Sequence, residues 1–162
     1  MPLDDAGLAT ISAPHAYLLS FRLLELALGD ALVELGSGSG YGAALAAWIT
    51  GPEGRVVTFE IDAALSAWAR GTLADQPTVT VHHGDAMISA PRWGDARKVV
   101  ATFAVASLPA PWVDALPEHG RLVAPVGARE GDQRLVLVRR EGGRVIETDH
   151  GAVRYVKNRS NL

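Results

Sequence analysis

The chain has 162 residues, 48% of them hydrophobic and 20% charged, with 17 glycines, 9 prolines and no cysteine, a profile that suits one globular domain with a buried core. Lacking cysteine, it has no disulfide scaffold, thiolate metal site or thiol nucleophile, and a reducing, cytoplasmic setting is the expectation. The balance of 15 Lys and Arg against 18 Asp and Glu gives a net charge of −3 without a basic run, so nucleic acid is not an expected partner.

The most apolar stretch, Ala16 to Leu28, is broken by Ser20, Arg22 and Glu25 and is too short for a bilayer, so no membrane partner is expected either. Asp4 and Asp5 near the start do not read as the basic flank of a secretory signal. Ser12-Ala13-Pro14 opens a helix in which Tyr17, Leu18, Phe21, Leu24 and Leu28 recur at helical steps as one buried stripe, and Gly29-Asp30 ends it. Ala31 to Leu35 reads as a buried parallel strand, closed by Gly36-Ser37-Gly38-Ser39-Gly40. Ala43 to Thr50 is an Ala-rich helix, and Gly51 to Gly54 turns the chain. Arg55 to Ile61 is a second strand, after which Asp62 caps a helix carrying Leu65, Trp68, Ala69 and Leu73 inward.

Thr78 to His83 and Lys98 to Phe103 supply a third and a fourth strand, Pro109 to Leu116 a short helix and Gly120 to Val126 a fifth strand. Gln133 to Arg139 and Arg144 to Glu147 alternate around Glu141-Gly142-Gly143 as an antiparallel hairpin. The fold class is α/β, a doubly wound, mostly parallel sheet in three α/β/α layers that ends in that hairpin. All four tryptophans, Trp48, Trp68, Trp93 and Trp112, read as packing residues. His82 and His83 are neighbours on one strand and point to opposite faces, so no metal site is expected.

Three glycines at alternate positions let a backbone turn sharply and approach a ligand where any Cβ would collide, with a helix N-terminus aimed at that ligand. Glu60 ends the second strand, where a carboxylate can accept both hydroxyls of a ribose; alone it also fits a solvated strand-end acid. A dinucleotide fingerprint requires glycine at position 41, and Tyr41 stands there. Glu34, just ahead of the bend, would repel a pyrophosphate and welcome a cationic sulfonium nucleoside, which points to S-adenosylmethionine; a structural pairing inside the sheet is its other reading.

At these residues the chain resembles the protein-L-isoaspartate O-methyltransferase family, within the class I S-adenosylmethionine-dependent methyltransferases. Thr10-Ile11-Ser12-Ala13-Pro14-His15 is similar to the family's Thr-Ile-Ser signature and Glu34 to Tyr41 to its first methyltransferase motif. His83-Gly84-Asp85, Gly120 to Gly127 and Val153-Arg154-Tyr155-Val156 resemble later landmarks in the same order. The resemblance implies that Glu60, with Ile61 beside it, holds the ribose, that Asp85 and Ala86 face the adenine, and that Glu34, Gly36, Ser37, Gly38, Gly40 and Thr102 surround the methionine part. It further implies that Thr10 and Ser12 border the methyl group and the incoming carboxylate, while His15, Val153 and Arg154 bind the substrate peptide. Ser12 also fits a helix N-cap, and His15 a first-turn surface histidine.

On this resemblance residues 1–30 are a covering segment and helix, 31–127 a cofactor-binding core and 128–162 a hairpin with a substrate-side tail. The implied activity is methylation of isoaspartyl carboxyls in peptides or damaged proteins. Two rival readings are methylation of an aspartate in a dedicated peptide, and cofactor binding without turnover. Several positions depart from the family pattern: nine residues precede Thr10 where several dozen are usual, Ala86 replaces a second glycine, Arg97 an acid, Ala104-Val105-Ala106 an Ala-Ala-Pro loop and Lys157 a proline. A more open peptide cleft is expected from the first of these.

Overall fold

The computed structural model describes residues 14–128 and 131–160. In chain order these form α1 (Pro14–Leu24), β1 (Ala31–Leu35), α2 (Tyr41–Thr50), β2 (Arg55–Glu60), α3 (Ala63–Thr72), β3 (Val79–His83), β4 (Lys98–Ala101), α4 (Ala110–Ala115), β5 (Arg121–Val126), β6 (Arg134–Glu141) and β7 (Arg144–Ala152). Two 3₁₀ turns, Ala86–Ile88 and Ala90–Arg92, stand between β3 and β4. The strands make one sheet in the order β3-β2-β1-β4-β5-β6-β7. β1 to β5 are parallel, and β6 and β7 continue the sheet antiparallel. That is the doubly wound sheet with a terminal hairpin that the sequence predicts.

β1 lies at the centre with helices on both sides, so its side chains alternate between two buried layers. Leu32 packs with Tyr17, Phe21 and Leu24 of α1 and with Ala43, Ala46 and Ala47 of α2. Val33 and Leu35 pack on the opposite face with Trp93, Trp112 and Leu116. Small residues let α2 sit close to the sheet: a Cβ on Gly42 would come 2.1 Å from Glu34 Oε1 and 2.4 Å from the Tyr17 ring. Trp93 Nε1 donates to Ser89 Oγ at 2.9 Å and Trp112 Nε1 to Ala86 O at 3.1 Å, so both buried indoles satisfy their only polar atom.

Asp62 caps α3 as its sequence position predicts, its Oδ1 accepting from Ala64 N–H at 2.9 Å and Leu65 N–H at 3.0 Å. Asp62→Ala is expected to cost about 1 kcal/mol of stability, read as a lower urea midpoint with unchanged slope. An unchanged midpoint would show that this cap does not contribute.

Several expectations are corrected. α1 ends at Leu24 and Leu28 is exposed, because Lys98 Nζ donates to Leu24 O at 2.7 Å and Arg121 Nη1 to Leu23 O at 3.1 Å, closing the last turn from across the sheet. Glu25 follows with a left-handed φ of 54° and pairs with Arg121 at 2.8 Å. Leu18 is exposed, one position off the stripe of Tyr17, Phe21 and Leu24. Trp68 and Trp48 stand in solvent, at 48% and 81% exposure, so two tryptophans pack and two do not. β4 stops at Ala101 because Thr102 turns toward the loop after β1, and β7 runs on to Ala152.

Candidate active site

Ligands in open parallel sheets gather beyond the carboxyl ends of the strands where the strand order reverses. Here that point lies between β1 and β4. Gly36, Gly38 and Gly40 have φ of 101°, 53° and 87°, a left-handed path that side-chain-bearing residues rarely take. A Cβ on Gly36 would stand 2.3 Å from Thr102 Oγ1, which itself lies 2.7 Å from Gly36 O and 3.1 Å from Leu35 O. Gly36 and Ser37 donate their N–H groups to Phe59 O at 2.9 and 3.0 Å, tying the bend to the end of β2. Gly40 is the N-cap of α2 and packs toward α3, where a Cβ would meet Leu73 Cδ1 at 2.9 Å.

Glu60 completes the bend from β2. Its Oε2 accepts from Gly38 N–H at 2.9 Å and its Oε1 from Asp62 N–H at 3.1 Å, so two backbone donors fix the carboxylate with its outer side toward the cavity. Asp85, after β3, accepts from Met87 N–H at 2.8 Å, which opens the first 3₁₀ turn. Between these groups lies an open cavity at the carboxyl ends of the central strands. Its walls combine the glycine bend and the two carboxylates with Tyr17, Phe59, Ile61 and Phe103. A nucleoside with a zwitterionic tail fits this set: carboxylates for hydroxyl and amino donors, rings for a base, and a bend whose glycines carry no side chain to block close approach.

Glu34 behaves differently from its expected role. Its side chain faces α1 and α2, is fully buried, and does not line the cavity. Burial pushes its carboxyl up from 4.5 to about 8, with the Thr58 hydrogen bond opposing this and nearby Glu60 adding to it. Thr58 Oγ1 donates to Glu34 Oε2 at 2.6 Å, which leaves Ser37 Oγ to donate to Thr58 Oγ1 at 2.7 Å. Glu34 Oε1 has no hydrogen-bond partner among the described residues. Burial thus favours the neutral form of Glu34, which matches its structural reading: it supports the bend through Thr58 and Ser37.

Of the residues singled out in the sequence, Gly36, Ser37, Gly38, Glu60, Ile61, Asp85, Ala86 and Thr102 line the cavity together. Glu34 and Gly40 stand behind it. His15 is exposed on the first turn of α1, and Val153 and Arg154 follow β7; none of these three borders the cavity. Thr10 and Ser12 lie outside the described residues. Tyr17, Phe59, Phe103 and the segment from Val156 to Ser160 line the cavity without having been singled out. Phe59 and Phe103 carried a local signal, an aromatic beside each strand end. For residues 156–160 the sequence offered only a substrate-side tail, not a place in the wall of this cavity.

A parallel sheet with a glycine bend after its central strand and an acid after the next defines a Rossmann-like, class I methyltransferase fold. A crystal structure from Plasmodium falciparum, described as a protein-L-isoaspartate O-methyltransferase in complex with S-adenosyl-L-homocysteine, has this fold with a TM-score of 0.83 and 24% identity, covering 94% of this chain and 77% of that one. The family model for protein-L-isoaspartate(D-aspartate) O-methyltransferase matches residues 1–162, and the chain belongs to that family. It is 36% identical over 158 residues to protein-L-isoaspartate O-methyltransferase 2 of Archaeoglobus fulgidus, covering 96% of this chain and 71% of that protein. Against the protein-L-isoaspartate O-methyltransferase of Methanocella arvoryzae the identity is 35%, over 96% of this chain and 82% of that protein.

Proposed function

We propose that this chain is an S-adenosylmethionine-dependent carboxyl O-methyltransferase that acts on L-isoaspartyl residues of proteins and peptides in the cytoplasm. The family match along residues 1–162, which takes in the glycine bend and the acid at the end of β2, is the observation that carries this reading. No helix among the described residues is long and apolar enough to cross a membrane.

In this reading Glu60, with Ile61 beside it, accepts the ribose hydroxyls, Asp85 and Ala86 face the adenine, and the bend with Thr102 holds the methionine portion. Thr10 and Ser12 flank the transferred methyl group, and His15, Val153 and Arg154 engage the peptide. When bound, S-adenosylmethionine supplies a methyl group on a positively charged sulfur. An acceptor carboxyl with an ordinary value near 4 is already ionised at neutral pH, so no residue here has a proton to remove. The protein's work is alignment and exclusion of water. Support for this comes from the two backbone N–H bonds that fix Glu60 and from the aromatic walls at Phe59 and Phe103.

Matched peptides that differ only in an isoaspartyl or an aspartyl linkage, incubated with methyl-labelled donor, test the reading. The isoaspartyl peptide is expected to take up label and the aspartyl peptide to remain unlabelled. Label on the aspartyl peptide alone would overturn the repair reading in favour of a dedicated peptide substrate. Donor binding with neither peptide labelled would overturn it in favour of a binding protein without turnover.

A further inference from the structure

The last described residues fold back across the mouth of the cavity. Gln133, buried at 1% exposure, clamps Tyr155 from its side chain: Oε1 accepts from Tyr155 N–H at 2.6 Å and Nε2 donates to Tyr155 O at 3.0 Å. Beyond the clamp, Ala104 N–H donates to Val156 O at 2.7 Å and Asn158 N–H donates to Ala104 O at 2.9 Å. Asn158 Oδ1 then accepts from Ser160 N–H at 3.1 Å, which sets the direction of the next two residues. The result is a strap that leaves the end of β7 and passes the loop after β4.

The strap ends on the two carboxylates of the cavity. Arg159 Nη2 stands 3.6 Å from Glu60 Oε1, with side-chain exposures of 18% and 6%, and Ser160 Oγ lies 2.6 Å from Asp85 Oδ1. Each oxygen of Glu60 already accepts one backbone N–H, Oε2 from Gly38 and Oε1 from Asp62, and Arg159 stands at Oε1, where a further donor from a ligand would have to come. A guanidinium and a hydroxyl here offer the same hydrogen-bond donors that a ribose diol and an adenine amino group would bring.

We propose that Arg159, with Ser160, is an internal competitor for the nucleoside end of the donor, and so sets donor affinity: Glu60 and Asp85 are held by the chain's own strap until the donor displaces it. This rests on the reading of Glu60 and Asp85 as nucleoside-binding groups. A site whose binding-competent state is only partly populated binds with its affinity reduced by that fraction, and weakening the competitor restores it.

The test is calorimetric titration of the full chain, its Arg159→Gln and Ser160→Ala variants and Glu60→Gln with S-adenosylhomocysteine, which lacks the positive sulfur, and in parallel with S-adenosylmethionine. Arg159→Gln is expected to bind both compounds about three- to tenfold more tightly, as loss of a partly desolvated ion pair allows, and Ser160→Ala about twofold more tightly. Unchanged or weaker binding of S-adenosylhomocysteine in these variants would overturn the proposal. Tightening confined to S-adenosylmethionine would also overturn it, since that is relief of charge repulsion and not release of Glu60. Ser160→Ala decides alone if Arg159→Gln does not fold. If Glu60→Gln weakens binding while both strap variants leave it unchanged, the competition fails and the site stands; if Glu60→Gln has no effect, the site assignment fails and the proposal with it.

Discussion

Glu60→Gln is expected to weaken S-adenosylhomocysteine binding by about 1.5–3 kcal/mol, roughly ten- to a hundredfold in Kd, as removal of charge-assisted hydrogen bonds does. The loss has two sources that act together. Glutamine offers one oxygen where the carboxylate offers two, so its amide nitrogen must face either Gly38 N–H or Asp62 N–H, and the bend loses one of its two anchors to β2. The neutral amide is also a poorer acceptor for a diol. The ribose does not react, so its contacts are equal in ground and transition states; KM for the donor should rise with kcat little changed. An unchanged donor KM would remove Glu60 from the site, whereas a fall in kcat alone would assign it to the chemistry instead.

Stability is expected to fall as pH rises from about 4.5 to about 8, and Glu34→Gln should abolish that fall. The sign follows from which state releases the proton first. An unfolded Glu34 ionises near 4.5, while the folded one keeps its proton up to about 8, so across this window the unfolded state is favoured progressively and above it the loss is constant. Each unit of difference is about 1.4 kcal/mol, which makes the full loss on the order of 4–5 kcal/mol. Glutamine keeps an acceptor for Thr58 Oγ1 and carries no charge, so the gap in Tm between variant and parent should be small near pH 4 and widest at pH 8 and above. A gap independent of pH would mean that Glu34 is ionised in the folded protein.

What the sequence made legible was local. The bend from Gly36 to Gly40, the Asp62 cap and the alternation of β1 depend on neighbours within a few residues, and each stands where the pattern puts it. The end of α1 was not legible, because the groups that close it, Lys98 and Arg121, lie 74 and 98 residues away in the chain. Trp68 went wrong by rotation: Leu65 and Ala69 fill the buried stripe of α3, and a large ring one position before Ala69 is left about half exposed. Glu34 left two readings open in the sequence, and its hydrogen bond to Thr58 fits the structural one. A carboxyl in a strand buried on both faces, with one hydroxyl donor among the described residues, is pushed toward its neutral form. The strap was invisible because Gln133 looks like any polar residue at a strand start until Tyr155 is brought against it.

The seat of the donor is tested most directly by a crystal structure of this chain grown with S-adenosylhomocysteine. The ribose hydroxyls are expected within hydrogen-bond distance of the Glu60 carboxylate, the amino acid tail against the bend from Gly36 to Gly40, and Arg159 withdrawn from Glu60. A ligand bound elsewhere, or a ribose turned away from Glu60 with the bend empty, would contradict that arrangement.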